Sequence, residues 1–396
     1  MLSVIAKTLK VSQYLSITAI EMATFIDCAS LTGVKIPDSV TSIGWGAFNN
    51  CKSLTKITIP ASVKTIADKA LGYCYDDNGN KKTTALKIYC YSDTQAEAYA
   101  KSGKFSYVLL DKVTGIKKVT GIKIGERAAD ALRINWTKNA SSDGYIVEMY
   151  QGGKWACVAK IANNSTTTFR KTGLDASTAY KFRVKAYKMY DITAVYSAYS
   201  ATLSANTDPS GMSGFKVKSL SSTSVTLQWN KNTSATGYEL QKWDGNKWAS
   251  IANITQNSAT TYTVKNLKAG TAGYRFRIRA YKTYGSTKQY GSWSNEVKVN
   301  TNPYGVGGFK VKSTAKTSIT LGWNKGTTAS GYELQQYKNG KWVTISAPDK
   351  ATTVSYTVNG LKADTSYKFR IRAYKTYGST KQYGSWSNEL TVGTKN

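Results

Sequence analysis

The chain has 396 residues, enough for two to four domains with a core apiece. It contains no histidine, which removes the commonest general base, metal ligand and triad partner and leaves carboxylates, Lys, Tyr and Cys for any chemistry. The net charge of +31 is uneven: residues 1–112 hold 13 Lys and Arg against 9 Asp and Glu, whereas residues 113–396 hold 41 against 14. A basic C-terminal portion favours acidic partners such as anionic polysaccharide, cell-wall polymer, mucin or nucleic acid, although a merely solubilising surface gives the same composition. Five cysteines are too few and too irregular for a disulfide scaffold, no paired CxxC zinc pattern occurs, and no apolar run reaches the ~18 residues of a membrane span. No metal and no cofactor is expected.

In chain order, Ser16-Ile17-Thr18-Ala19-Ile20 through Phe25, Cys28, Leu31, Val34, Ile36 and Pro37 recurs as Ser39-Val40-Thr41-Ser42-Ile43 through Phe48, Cys51, Leu54, Ile57, Ile59 and Pro60. A weaker third copy runs from Ser62 through Ile66 and Leu71 to Cys74. Apolar residues at fixed offsets in a repeat of this length mean a solenoid whose coils stack on one another. The phrase L-x-x-I-T-I-P-x-S-V-x-x-I with A-F-x-x-C resembles the BspA-like leucine-rich repeats of bacterial surface proteins, over residues 16–110. Residues 1–15 do not fit. Permitted codons for them, read two nucleotides out of frame, restore the repeat's own phrase, so this segment reads as a frameshifted start inside a longer gene, with any signal peptide lost alongside it.

The solenoid's end has a different pattern. Leu86–Tyr91 and Phe105–Leu110 read as strands, and Thr94 with Glu97 reads as a capping box opening a short helix that stops at Gly103. Together they form the polar-faced cap that a solenoid requires. Asp76-Asp77-Asn78-Gly79-Asn80 places its glycine too early for an EF-hand and reads as a hairpin turn. Residues 111–118 read as a linker.

From Val119 a single pattern runs three times. Trp136, Trp229 and Trp323 are followed at constant spacing by Tyr145, Tyr238 and Tyr332, then by Trp155, Trp248 and Trp342. Leu174, Leu267 and Leu361 precede Tyr180, Tyr274 and Tyr367. The stretch Phe276–Glu296 returns unchanged at Phe369–Glu389, the mark of a duplicated module. Alternation directs Val225, Leu227 and Trp229 to one face, and on a later strand it turns Phe276, Ile278 and Ala280 inward and Arg275, Arg277 and Arg279 outward. Short alternating strands between Gly, Asn, Ser and Thr turns predict β-sandwiches of about 93 residues, with the spaced aromatics as buried keystones of separate beads. The B-strand Trp, the following G-Y-x-L/V and the L-x-x-x-T-x-Y corner before Phe-Arg-Ile-Arg-Ala resemble fibronectin type III domains.

The expected fold is therefore mainly β: a short leucine-rich-repeat solenoid with a small α/β cap, then three tandem immunoglobulin-like sandwiches at 119–208, 209–302 and 303–396. Asn206–Pro209 and Asn300–Pro303 mark proline-stiffened joints, which suggests a monomeric, elongated chain. Binding candidates lie between the last two strands: Tyr284, Lys288, Tyr290 and Trp293 in one module, and Tyr377, Lys381, Tyr383 and Trp386 in the next. Aromatic faces stack on sugar rings, and nearby cations pair with sulfate, carboxylate or phosphate. The plainer alternative packs the two tryptophans over the sandwich edge and assigns the tyrosines to strand propensity. For the outward arginines, cross-strand pairing with Glu239 outweighs a phosphate track.

Catalysis is not expected. Glu148, Glu239 and Glu333 recur at equivalent places in separate modules, too dispersed to converge as a catalytic pair, and the lone Cys157 has no histidine to activate it. The reading is a non-enzymatic extracellular or cell-surface protein that adheres to polysaccharide, glycoprotein or another acidic surface polymer. The main alternative is the ancillary region of a larger secreted enzyme, such as a glycoside hydrolase or peptidase; nucleic-acid binding is a weaker one, resting on charge alone.

Overall fold

The computed structural model describes residues 17–76, 78–190 and 193–396. The proposed frameshifted start at residues 1–15 lies outside them, as does Asp77 of the predicted turn. The chain divides into two units: one takes in the chain up to Arg127 with Leu132–Thr172 and Ala179–Ala205, the other Ala128–Ala131, Gly173–Thr178 and Asn206–Asn396.

The first unit opens with stacked coils forming two parallel sheets. One pairs Ala19–Ile20, Ser42–Ile43 and Thr65–Ile66, with Ile20, Ile43 and Ile66 in register. The other pairs Gly33–Lys35, Lys56–Thr58, Lys87–Cys90 and Ser106–Leu109, aligning Val34, Ile57, Ile88 and Tyr107. Residues at the same offset thus stack directly, as in the Phe25–Phe48 ring pair at 4.9 Å and the Thr41 hydroxyl that donates to the Thr18 carbonyl 23 residues earlier. Cys51 is placed by the same repeat: it is buried, donates to the Phe25 carbonyl, and burial pushes its thiol up to about 12. All five cysteines are free.

The third coil keeps its first strand. Its second is displaced by the antiparallel hairpin Tyr73–Tyr75 with Lys81–Thr83, after which Lys87–Cys90 fills the vacant register. The turn is held by the Asp76 carboxylate, which accepts the Asn78 and Asn80 amides, with Gly79 at φ 75. Helix Gln95–Ser102 then closes the stack, burying Ala96 and Ala100, while the Tyr99 hydroxyl accepts from the Leu71 amide and donates to its carbonyl. Thr94 caps the helix as expected, but Glu97 reaches Asp93, one residue beyond the usual box partner. The left-handed residue at the far end is Lys104 at φ 54, not Gly103.

Each later module pairs a three-stranded with a five-stranded antiparallel sheet. In the second unit these are Lys216–Leu220, Val225–Gln228 and Thr261–Val264 against Trp248–Ile254, Gly237–Trp243, Tyr274–Tyr284, Thr287–Trp293 and Val297–Val299. The next module repeats the arrangement with Lys310–Thr314, Ser318–Gly322 and Ser355–Asn359 against Lys341–Ser346, Gly331–Lys338, Ser366–Tyr377, Thr380–Tyr383 and Leu390–Gly393. Between the sheets lie Val225, Leu227, Leu240, Phe276 and Ile278, or Ile319, Leu321, Leu334, Phe369 and Ile371, all buried. Tyr238 is wholly buried yet satisfied: its hydroxyl accepts the Asn232 amide and donates to the Asn257 carbonyl, as Tyr332 does with Gly326 and Ala351. Tyr274 and Tyr367 make the expected corners, accepting the Lys268 and Lys362 amides at 2.9 and 2.8 Å.

The aromatic landmarks divide. Trp136, Trp229 and Trp323 are core residues, but Trp155, Trp248 and Trp342 are half-exposed on the outer face of the larger sheet. Strand parity explains the difference. Glu239, Gln241 and Trp243 point outward together, and the hairpin register sets Trp248 opposite Trp243.

Candidate functional site

The outer face of each larger sheet carries a stack of alternating rings and cations. On strand Tyr274–Tyr284, alternation sends Arg275, Arg277 and Arg279 outward, spaced about 7 Å apart, wide enough for an aromatic ring to enter between them. Arg275 lies 4.9 Å from the Trp243 ring and 5.4 Å from Trp248. Arg277 is 4.4 Å from Trp248 and 4.0 Å from Trp293, and Arg279 is 4.3 Å from Trp293 and 3.8 Å from Tyr290. The guanidinium faces stack on rings while their edges are satisfied: Arg275 by Glu296, Arg277 by the Gln241 amide oxygen, Arg279 by Glu239. Only a planar cation with donors around its rim can do both.

The next module has the same device in shorter form, running Trp342, Arg370, Trp386, Arg372, Tyr383 with separations of 3.8 to 4.3 Å. Gln335 and Glu333 accept from its two arginines. In the first unit the stack is Trp155, Arg183, Tyr199, Lys185 and Tyr196, with Glu148 accepting from Arg183 and from the Tyr199 hydroxyl. Burial pushes the Glu148 and Glu333 carboxyls up, but the surrounding donors outweigh it and hold both below the ordinary carboxylate range. The expected pairing of Glu239 with the arginine column is present at Arg279, at 2.7 Å.

The eight predicted binding residues fall into three groups. Tyr290 and Trp293, like Tyr383 and Trp386, form rungs of these stacks, each with an arginine on its face. Lys288 and Lys381 lie over the buried Tyr281 and Tyr374 rings at 4.2 and 4.1 Å. Tyr284 and Tyr377 turn away from both. The Tyr377 hydroxyl donates to the Thr301 carbonyl at 2.8 Å, and burial raises the Tyr284 phenol, which sits beside Ser177 and Asp208. Gln289, on the same hairpin as Tyr284, donates to the Asn206 carbonyl and the Asp208 carboxylate. These hairpin tips therefore clasp the segment that leads into their own module. Tyr377→Phe is expected to cost about 1 kcal/mol, read as faster amide exchange at Thr301 and Asn302 while strand Ser366–Tyr377 stays protected.

Sequence reasoning missed Trp243, Trp248, Gln241 and Glu296 as members of the stack. The signal was present: cations at alternate positions on one strand, and tryptophans on the hairpin opposite. Glu148, Glu239 and Glu333 each serve a stack of their own. Among the described residues, no group of three or more Cys, Asp or Glu could hold a metal ion.

Residues 6–119 match the BspA type leucine rich repeat region, in six copies, and residues 117–198, 208–298 and 304–391 match the fibronectin type III domain. Exoglucanase B of Cellulomonas fimi is 31% identical over 290 residues, covering 70% of this chain and 25% of that protein. Chitinase A1 of Niallia circulans is 32% identical over 200 residues, 48% of this chain and 26% of that protein. Rat neogenin is 32% identical over 138 residues, 32% of this chain and 9% of that protein. The chain thus spans about a quarter or less of the length of these relatives. Among solved structures, a two-domain fibronectin type III segment of chicken tenascin is 15% identical, covering 46% of this chain and 99% of that one, with a TM-score of 0.31.

Proposed function

Because the chain belongs to the fibronectin type III family and carries a BspA type leucine rich repeat region ahead of three such domains, we propose that it is a non-enzymatic recognition protein of the cell exterior that holds acidic glycan, cell-wall polymer or host matrix. In this reading residues 16–110 are the repeat segment with its cap, 111–118 couple it to the sandwiches, and 119–208, 209–302 and 303–396 are the binding and spacing modules. The carrying observation is the division of the positive charge. Arg275, Arg279 and Arg372 of the stacks are matched to Glu, and Arg277 and Arg370 have their edges occupied by Gln, so most of the surplus of the sandwich region, 39 basic against 14 acidic residues over 119–396, is carried by lysines that can meet an outside polyanion.

The hairpin residues Lys288, Tyr290 and Trp293, with Lys381, Tyr383 and Trp386, are the proposed contacts for sugar rings, and Tyr284 and Tyr377 set the hairpins' position. The names of two relatives, an exoglucanase and a chitinase, support a polysaccharide context outside the cell. A panel of immobilised acidic glycans and matrix proteins, probed with the whole chain, tests the reading. Retention on an acidic glycan is expected, with a drop of at least about fivefold for Tyr290→Ala combined with Tyr383→Ala if each ring adds about 0.5 kcal/mol or more. Equal binding by that variant removes the hairpin contact, and no retention of the parent chain on any surface removes the adhesive function.

A second reading has its own observation. Similarity to exoglucanase B runs over 290 residues that are only 25% of that enzyme, as for an ancillary region beside a catalytic domain. Sequencing the flanking gene tests it: an adjoining hydrolase domain supports the ancillary role, and further leucine-rich repeats behind a signal peptide speak against it. Nucleic-acid binding would instead give steeply salt-dependent affinity for duplex DNA that survives loss of Tyr290 and Trp293.

A further inference from the structure

The smaller sheets of the second unit present a different surface. In each, the first strand carries a bulge at the same place, between Val217 and Ser219 and between Val311 and Ser313. A bulge adds one residue to a strand and re-aims its side chain. Here the added residues are Lys218 and Lys312, both exposed. Beside them, Lys216 and Lys310 point outward opposite Gln228 and Gly322. A Cβ on Gly322 would stand 2.7 to 2.9 Å from the Lys312 chain, so that glycine leaves the stem of Lys312 room to lie flat across the sheet.

Hydroxyl pairs complete the face. Thr226 and Thr263 hydroxyls meet at 2.9 Å, and Thr320 and Thr357 at 3.0 Å, each pair fixed by cross-strand register. No carboxylate occurs on any of these six strands. The second module's Glu239 lies on the opposite sheet and Glu296 just before that sheet's strand Val297–Val299, where arginines hold them, and Asp244 accepts backbone amides of its own turn. The first module supplies a contrast within the same chain. Its bulge between Ile124 and Glu126 has Gly125 as the added residue, and Glu126 is paired with Arg133 at 2.9 Å.

We propose that the bulge lysines Lys218 and Lys312, with Lys216, Lys310 and the threonine pairs, form a docking face for a linear anionic polysaccharide on the second and third modules and not on the first. This rests on the adhesive reading above and assigns the polymer's charge to a surface other than the hairpins. The chemistry favours a polysaccharide over a nucleic acid. Lysine ammonium groups serve as point charges for sulfate or carboxylate, and fixed hydroxyls suit a chain of sugar hydroxyls. A three-stranded sheet offers no helix or two-stranded ribbon for a major groove, and the outward residues of the two sheets include no ring on which bases could stack.

The test uses the whole chain on immobilised dextran sulfate, with neutral dextran and duplex DNA as comparison surfaces. Lys216→Gln, Lys218→Gln, Lys310→Gln and Lys312→Gln are combined in one variant. Lys247→Gln, Lys298→Gln, Lys341→Gln and Lys368→Gln, exposed on the other sheet and its turns, make a charge-matched control. The face variant should bind dextran sulfate at least tenfold more weakly than the parent chain, with a log–log salt slope smaller by about 3, whereas the control stays within about threefold. Equal losses in both variants, or duplex DNA held as tightly as dextran sulfate and weakened by the same face variant, overturn the proposal. A parent chain that ignores dextran sulfate overturns it too. The adhesive reading is then judged separately, by retention on the other glycans and matrix proteins.

Discussion

Trp323→Ala is expected to destabilise the third sandwich by about 3–5 kcal/mol, whereas Trp342→Ala should cost only about 1–2 kcal/mol. Trp323 is 5% exposed and packs edge-on against Tyr332 at 5.5 Å in the core, so its removal leaves a cavity that neighbours on two sheets cannot close. Trp342 loses less because one side of it already faces water. Its interactions are the Arg370 face at 4.3 Å and the Tyr337 ring at 5.3 Å. Hydrogen exchange along strand Ser366–Tyr377, measured in the whole chain, separates the two. Near-global exposure of that strand in the first variant and retained protection in the second is the expected pattern, and equal effects would contradict the assignment of the two tryptophans to opposite faces.

That difference also marks the limit of what could be read from sequence. The spacing of Trp323, Tyr332 and Trp342 announces a repeated module, and Tyr332 and Leu334 point inward by alternation as expected. Deciding the face of Trp342 requires the register of the hairpin that sets Tyr337 against Trp342, and one residue more in the turn would have turned it inward. The solenoid was more legible because its period acts directly: residues at one offset stack on one another, so the pattern of Ile20, Ile43 and Ile66 is itself the register. Its decaying third coil was legible only in part, since nothing local says that Lys87–Cys90 will take the place of a missing strand.

The candidate site shows the same division between local and long-range information. Alternation alone put Arg275, Arg277 and Arg279 on the outside, and one strand over it offered Glu239 as a partner. The tryptophans that enter between the arginines come from the neighbouring hairpin and from beyond the last turn, and no periodicity within one strand reveals them. The hairpin residues looked like one cluster because they are adjacent in sequence. Strand geometry splits them: Tyr377 reaches the Thr301 carbonyl, Lys381 covers Tyr374, and Tyr383 stacks on Arg372. Departures were also invisible in advance, such as Gln336, an inward position that buries an amide oxygen with no partner where the first module has Met149.

Arg372→Met should reverse the acid response of the third sandwich. Glu333 has 13% of its side chain accessible and is held by Arg372, Thr344 and Gln335. Burial pushes its carboxyl up, but the Thr344 hydroxyl and the Arg372 guanidinium prevail, so its folded pKa lies below the ordinary carboxylate value. A carboxyl depressed in the folded state contributes stability that is complete above the unfolded pKa of about 4.3 and is lost as the pH falls through the folded value. The parent sandwich should therefore weaken on acidification below about pH 4. Without Arg372 the burial cost is opposed mainly by Thr344, the folded pKa rises above the unfolded one, and the carboxylate becomes a liability at neutral pH. The variant should lose about 3 kcal/mol at pH 7, as for one member of a largely buried pair left alone, and should recover part of it as the pH falls toward 5. Adding Glu333→Gln to Arg372→Met should restore much of the loss and remove the pH dependence, because no charge is then left to bury. Urea midpoints from pulse proteolysis at pH 5 and pH 7 measure all three proteins; a single variant that weakens toward acid as the parent does would show that Arg372 is not what keeps Glu333 ionised.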